Sequence, residues 1–121
     1  VILKPGTLQR ALAGEVLHRF ERKGLRLAGM KMIKLTDEVL SEHYSHLSAK
    51  PFFQRVKDSM MTAPVIVCCF EGVDAIQTVR TLAGPTNGRL AAPGTIHEFP
   101  REHRSCFRFT GNRCGRVNQI L

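Results

Sequence analysis

The run Val65-Ile66-Val67-Cys68-Cys69-Phe70 decides the fold. It is six apolar residues without a break, and such a run suits a central strand buried on both faces. Neighbouring strand residues point to opposite sides, so Cys68 and Cys69 read as two buried thiols facing away from each other. Downstream, Val73 to Ala83 reads as a helix through Ile76, Val79 and Ala83, with Gly84 behind it. A long loop holding Pro85, Gly88, Pro93 and Gly94 follows. Upstream, Pro51 opens a helix that turns Phe53, Val56 and Met60 inward, and Ala63-Pro64 ends it. Before that, Thr36 is placed to cap a short helix in which Leu40, His43, Tyr44 and Leu47 share one face.

The first third of the chain completes the pattern. Val1-Ile2-Leu3 ends a strand that Lys4-Pro5-Gly6 closes. Leu8, Leu12, Val16 and Phe20 recur every four residues and predict one helix from about Leu8 to Lys23, stopped by Gly24. Leu25 to Leu35 reads as a strand, with a bulge expected at Gly29. The order is strand, helix, strand, helical insert, strand, helix. That is an α/β (α+β) chain of the ferredoxin-like βαββαβ sandwich type, with an inserted helical pair at 37–61 and a final strand still to come.

Composition narrows the class. The chain has 121 residues, enough for one core, and 43% of them are hydrophobic. No apolar run approaches a membrane span and no signal peptide is visible, so a cytoplasmic protein is the expectation. The chain begins at Val1 inside an apolar run, which reads as a beginning that is not the protein's own. The net charge of +8 favours anionic partners such as nucleotides.

Three features carry candidate chemistry. Lys4 follows a strand beside a Pro-Gly turn, where an ammonium suits phosphate oxygens; taken alone it reads first as a surface lysine. Arg80 near a helix end and Thr86 in the next loop can grip phosphates as a pair, although a helix-end arginine also answers the dipole. Phe52 and Phe53 are adjacent on a helix and cannot both face the core, so one offers a flat ring to a nucleobase.

These features stop being independent when taken in order. Lys4-Pro5-Gly6-Thr7-Leu8-Gln9-Arg10, Glu42-His43-Tyr44, Lys50-Pro51-Phe52-Phe53, Met61-Thr62-Ala63-Pro64-Val65, Glu71-Gly72, Val79-Arg80, Gly84-Pro85-Thr86-Asn87 and Pro93-Gly94-Thr95-Ile96 resemble a bacterial-type nucleoside diphosphate kinase across residues 1–96. Pro85 departs from the glutamate common in that loop. The resemblance implies a ping-pong phosphotransferase that moves the γ-phosphate of ATP, with Mg²⁺, through a phosphohistidine to a nucleoside diphosphate. It also implies that Lys4, Arg80 and Thr86 hold phosphates, that Phe52 stacks on the base, and that Tyr44 sits beside the nucleophile. Relatives of this kind form tetramers or hexamers, so a homo-oligomer is expected. The alternative reading is a non-catalytic nucleotide-binding or oligomerisation module.

Residues 97–121 break the pattern. They hold five arginines and no lysine, alanine, aspartate or methionine. The family continues after Gly-Thr-Ile with Arg-Gly-Asp-Phe, and later with an asparagine, the catalytic histidine and a Ser-Asp-Ser segment; none of these is present. His97 stands where a phosphate-binding arginine belongs, and neither it nor His103 is assigned catalysis. Read one base later, a permitted set of codons for His97 to Leu121 spells Asn-Ile-Val-His-Ala-Ser-Asp-Ser and an alanine-rich helix start. The tail therefore looks like an out-of-frame translation of the same family's C-terminus. Residues 1–96 form an incomplete domain in this reading, and 97–121 an aberrant, disordered tail with the last strand missing or disrupted. Such a chain is expected to be inactive. A zinc site from Cys106, Cys114, His97 and His103 lacks a Cys-x-x-Cys pair, and no protein metal ligand is assigned. Nucleic-acid binding rests on the tail arginines' composition alone and is not expected.

Overall fold

The computed structural model describes residues 1–43, 51–98 and 107–108. Strand β1 (Ile2–Leu3) leads into a short helix α1 (Pro5–Gln9) and then α2 (Ala13–Arg22). Strand β2 (Arg26–Ile33) precedes the helical insert of α3 (Asp37–His43) and α4 (Phe53–Met61). Strand β3 (Val65–Glu71) is followed by α5 (Ala75–Ala83), single 3₁₀ turns at 88–90 and 96–98, and β4 (Phe107–Arg108).

The sheet order is β2-β3-β1-β4 with antiparallel neighbours. This is the ferredoxin-like arrangement, and the apolar run at 65–70 lies inside it as expected. Ile2 pairs with Val67 and Leu3 with Ile66. Val1 extends that ladder, its nitrogen donating to the Cys68 carbonyl and its carbonyl accepting from the Cys68 amide, each at 2.8 Å. The β2–β3 register slips between Leu27 and Gly29, the bulge expected at the glycine. The fourth sheet position is held by two residues of β4, opposite Ile2 and Leu3.

Strand alternation sorts the core into two clusters. Leu3 and Cys68 pack with Val16 and Phe20 of α2, Val79 and Ala83 of α5, and Ile96. Ile2, Val65 and Val67 point the other way and pack with Leu35, Leu40 of α3 and Met60 of α4. The first cluster is anchored by Phe20, fully buried, whose ring centroid lies 4.9 Å from that of Phe70.

Two helical expectations need correction. The single helix from Leu8 to Lys23 is two, because Ala11 takes a positive φ of 54°. The Leu12 amide then reaches back to the Thr7 carbonyl at 3.0 Å and closes α1 before α2 begins. Ile76 is 51% exposed rather than inward. The buried stripe of α5 runs through Ala75, Val79, Leu82 and Ala83, and Ile76 lies on its flank in the first turn. Gly24, at φ 91°, ends α2 in the left-handed region as the sequence predicts.

Candidate functional site

Lys4 is the residue between β1 and α1. Its backbone is extended, at φ −71° and ψ 162°, and Pro5 starts the helix. The Thr7 amide bonds the Lys4 carbonyl at 2.9 Å, which fixes the turn. Lys4 itself is half-buried at the end of the sheet where β1 stops.

The order of elements leads Arg80 and Thr86 toward that same end. β1 and β3 are antiparallel, so the end of β1 lies beside the start of β3. β3 runs away from that end, and α5 comes back along the sheet. Ala83 and Leu3 belong to one core cluster. Arg80 is exposed in the last turn of α5, and Thr86 is exposed two residues beyond the Gly84 cap. Phe52 is 42% exposed and opens α4, while Phe53 is half-buried against the second cluster. One ring inward and one outward is the split that adjacency on a helix requires. The far end of α4 packs on Ile2 and Val65 through Met60. At 1.5 Å rise per residue, Phe52 stands about 12 Å along the helix from there. Tyr44 and His103 lie outside the described residues, as do Cys106 and Cys114.

The loop from Gly84 to Thr95 is closed at its neck. Gly84 has φ 76° and ψ −173°, and a Cβ placed there would meet Thr95 atoms at 2.9 Å. His97 is buried, and its Nδ1 lies 2.8 Å from the Pro85 carbonyl and 3.2 Å from that of Gly84. Both partners are acceptors, so Nδ1 carries the proton and donates. The ring thus faces the start of the loop.

Three features escaped sequence reasoning. Lys57 of α4 is buried, with Nζ bonded to Ser41 Oγ at 3.1 Å, ion-paired to Asp37, and 5.4 Å from the Phe53 ring centroid. It ties α4 to α3. A lysine is ordinarily exposed, so composition gave no signal. The bond from Lys57 holds the Asp37 carboxyl below the ordinary carboxylate range, and Thr36 does the same to Glu38. The second feature is Arg19, bonded through Nε to Glu15 Oε1 at 2.7 Å and through Nη1 to the Gly94 carbonyl at 3.0 Å. Its four-residue spacing from Glu15 was the available signal. The third is a shallow groove of about 350 Å³ beside α2, bordered by Arg19, His18, Arg22, Leu82 and Gly94. Cys68 is buried and desolvation pushes its thiol up to about 11, whereas Cys69 is half-buried. Among the described residues no group of three or more His, Cys, Asp or Glu side chains could hold a metal ion, and no helix is long and apolar enough to cross a membrane.

A family model, that of nucleoside diphosphate kinase, matches residues 1–104. The chain belongs to the nucleoside diphosphate kinase family. A nucleoside diphosphate kinase of Parabacteroides distasonis is 75% identical over 96 residues, which is 79% of this chain and 63% of that protein. The chain therefore spans less than two thirds of the length of that relative. Among solved structures, a halophilic nucleoside diphosphate kinase from Halobacterium salinarum in complex with CDP superposes with a TM-score of 0.82 at 36% identity, covering 86% of this chain and 68% of that one. The enzyme from Borrelia burgdorferi, with bound vanadate and ADP as a transition-state mimic, gives 0.77 at 32% identity over 84% of this chain and 64% of its own. The ferredoxin-like α+β fold of the family is the fold described above.

Proposed function

We propose that residues 1–96 are the nucleotide-binding body of a nucleoside diphosphate kinase, and that this chain as written lacks the transfer step. The topology supports the reading: the Lys4-Pro5-Gly6 turn ends β1 beside the start of β3, and α5, which follows β3, leads Arg80 and Thr86 back toward that end. An ammonium, a guanidinium and a hydroxyl on that rim can donate to the oxygens of a polyphosphate. Phe52 at the start of α4 offers an exposed ring for base stacking, a contact that tolerates any nucleobase. CDP in one related structure and ADP in another agree with that class of ligand. Mg²⁺ would come on the phosphates, since it is commonly held by phosphate oxygens and water rather than by a protein cage. It would neutralise phosphate charge there.

Transfer needs a histidine nucleophile. The γ-phosphorus bond to the bridging oxygen breaks as a nitrogen–phosphorus bond forms, and the nucleoside diphosphate leaves. The second half-reaction returns the phosphoryl group to the β-phosphate of another diphosphate. In this chain His97 donates to loop carbonyls, and no histidine stands in the family's nucleophile segment. Residues 97–121 are read as the out-of-frame remainder, with the two-residue β4 as the short occupant of the fourth strand's place. The second reading is a non-catalytic nucleotide-binding or oligomerisation module. A cytoplasmic homo-oligomer fits both. Met30 and Met32, 54% and 59% exposed on the edge strand β2, support self-association.

Incubation with γ-labelled ATP tests the proposal. No acid-labile phosphohistidine is expected on this chain, while a repaired chain carrying the shifted frame and Arg-Gly-Asp-Phe gains both label and transferase activity. Labelled His97 or His103 with turnover sinks the frame reading. A repaired chain that folds and stays inactive sinks the enzyme reading.

A further inference from the structure

We infer that Arg19 is a positioning residue: it clasps the returning end of the 84–95 loop to α2 and thereby, with the bonds of His97 to the loop's start, helps to fix where Thr86 stands. The part concerning Thr86 rests on the nucleotide reading above.

The loop leaves α5 at Gly84 and comes back to Thr95, which abuts Gly84. Several of its bonds are local. Asn87 Oδ1 accepts from the Arg89 amide at 3.1 Å, and Thr95 Oγ1 donates to the Ala92 carbonyl at 2.7 Å. Such bonds shape the loop without attaching it to the body. Arg19 supplies an attachment from 75 residues away, its Nη1 donating to the Gly94 carbonyl at 3.0 Å and the Thr95 carbonyl at 3.4 Å. Its side chain is only 25% exposed, and Glu15 holds Nε at 2.7 Å one helical turn earlier. Glu15 thus sets the plane of the guanidinium before the loop meets it. A planar fork with several donors can bond a carboxylate on one edge and carbonyls on another, which an ammonium on a flexible stem does poorly. The same geometry argues against the groove beside α2 as an anion site centred on Arg19, because the guanidinium is directed at the loop and at Glu15. Because the neck is closed, holding Thr95 also holds Gly84, and Thr86 is two residues further on.

The test uses the full chain. Arg89 is exposed in the loop, so trypsin cutting at Arg89–Leu90 reports how firmly the loop is held. Under native conditions Arg19→Ala is expected to raise that cleavage rate about tenfold, the size of one lost charge-assisted hydrogen bond. Arg19→Lys should not restore protection, and it keeps the charge and the stem should the alanine variant fail to fold. Arg22→Ala, which removes a cation from the same helix, should leave the rate unchanged. Titration with ADP and Mg²⁺ should show about tenfold weaker binding for Arg19→Lys than for the parent, with the urea midpoint of the body moved far less. Unchanged cleavage in both Arg19 variants overturns the clasp. Faster cleavage with unchanged ADP affinity overturns the positioning role. Failure of the parent to bind ADP overturns the nucleotide reading instead, and the clasp then stands or falls on cleavage alone.

Discussion

Gly84→Ala is expected to destabilise the chain by about 1.5–5 kcal/mol. The residue sits at φ 76° and ψ −173°, a region essentially reserved to glycine, where a side chain costs about 1–3 kcal/mol. The added methyl would also lie 2.9 Å from Thr95 Cβ, 2.9 Å from Oγ1 and 3.0 Å from Cγ2. Rotating χ1 cannot relieve this, because Cβ is fixed to the backbone, so overpacking adds about 1–3 kcal/mol. The lower entropy of the unfolded alanine chain offsets roughly 0.4–1 kcal/mol. Urea unfolding followed by far-ultraviolet circular dichroism reads the total, since the chain has no tryptophan. Combining Gly84→Ala with Thr95→Gly in a double-mutant cycle isolates the steric part, expected as a coupling of about 1 kcal/mol or more. Gly14→Ala in α2 is the control: nothing lies within 4 Å of its Cβ position, and it should stabilise by roughly 0.5–1 kcal/mol. A loss under about 0.5 kcal/mol for Gly84→Ala, well below the range expected from its special φ/ψ, would refute the reasoning about the neck. Zero coupling would refute its steric half.

Phe20→Ala empties the centre of the first cluster and removes the contact with Phe70, so a loss of about 3–5 kcal/mol in the same assay is expected. At pH 8 in the native state, the Cys68 thiol should react with a disulfide reagent roughly a hundredfold more slowly than a thiol of ordinary pKa, because its own lies at about 11. Equal labelling of Cys68 in folded and urea-unfolded chain contradicts this. The raised value also predicts that stability tied to Cys68 is intact below about pH 9 and is lost as pH rises through about 11, read as an alkaline fall in the urea midpoint. Asp37 has the opposite sign: its depressed pKa contributes stability above its unfolded value of 3.8 that is lost as pH falls through the folded value. Asp37→Asn leaves the buried Lys57 ammonium without its carboxylate and should be less stable at neutral pH, the two proteins converging in acid. Persistence of the full difference at low pH excludes the ion pair as its cause.

Much of the fold was written in periodicity. The apolar run at 65–70 announced an inner strand, and the four-residue recurrence of Val16 and Phe20 announced the face of α2 that fills the first cluster. The stop at Gly24 was legible because glycine relaxes its left-handed backbone, and Gly29 marked a bulge that falls next to it, between Leu27 and Gly29. The break at Ala11 was not, since alanine favours helix and its positive φ is imposed by the reach of the Leu12 amide back to Thr7. Nor was the exposure of Ile76, which depends on where α5 meets the sheet.

The candidate site divides along the same line. Sequence order alone identified the family and singled out Lys4, Phe52, Arg80 and Thr86, because short motifs around glycine and proline constrain the chain locally. It also marked the change of composition after Ile96. Only tertiary structure decides where the end of α5 stands relative to the end of β1, since that depends on strand order and on the direction in which α5 packs on the sheet. Tertiary structure likewise turned Lys57 inward, set Arg19 against carbonyls 75 residues away, and aimed His97 at the loop it follows. A lysine, an arginine and a histidine are each at home in water. What they bond to was decided by which polar groups the packed body left within reach.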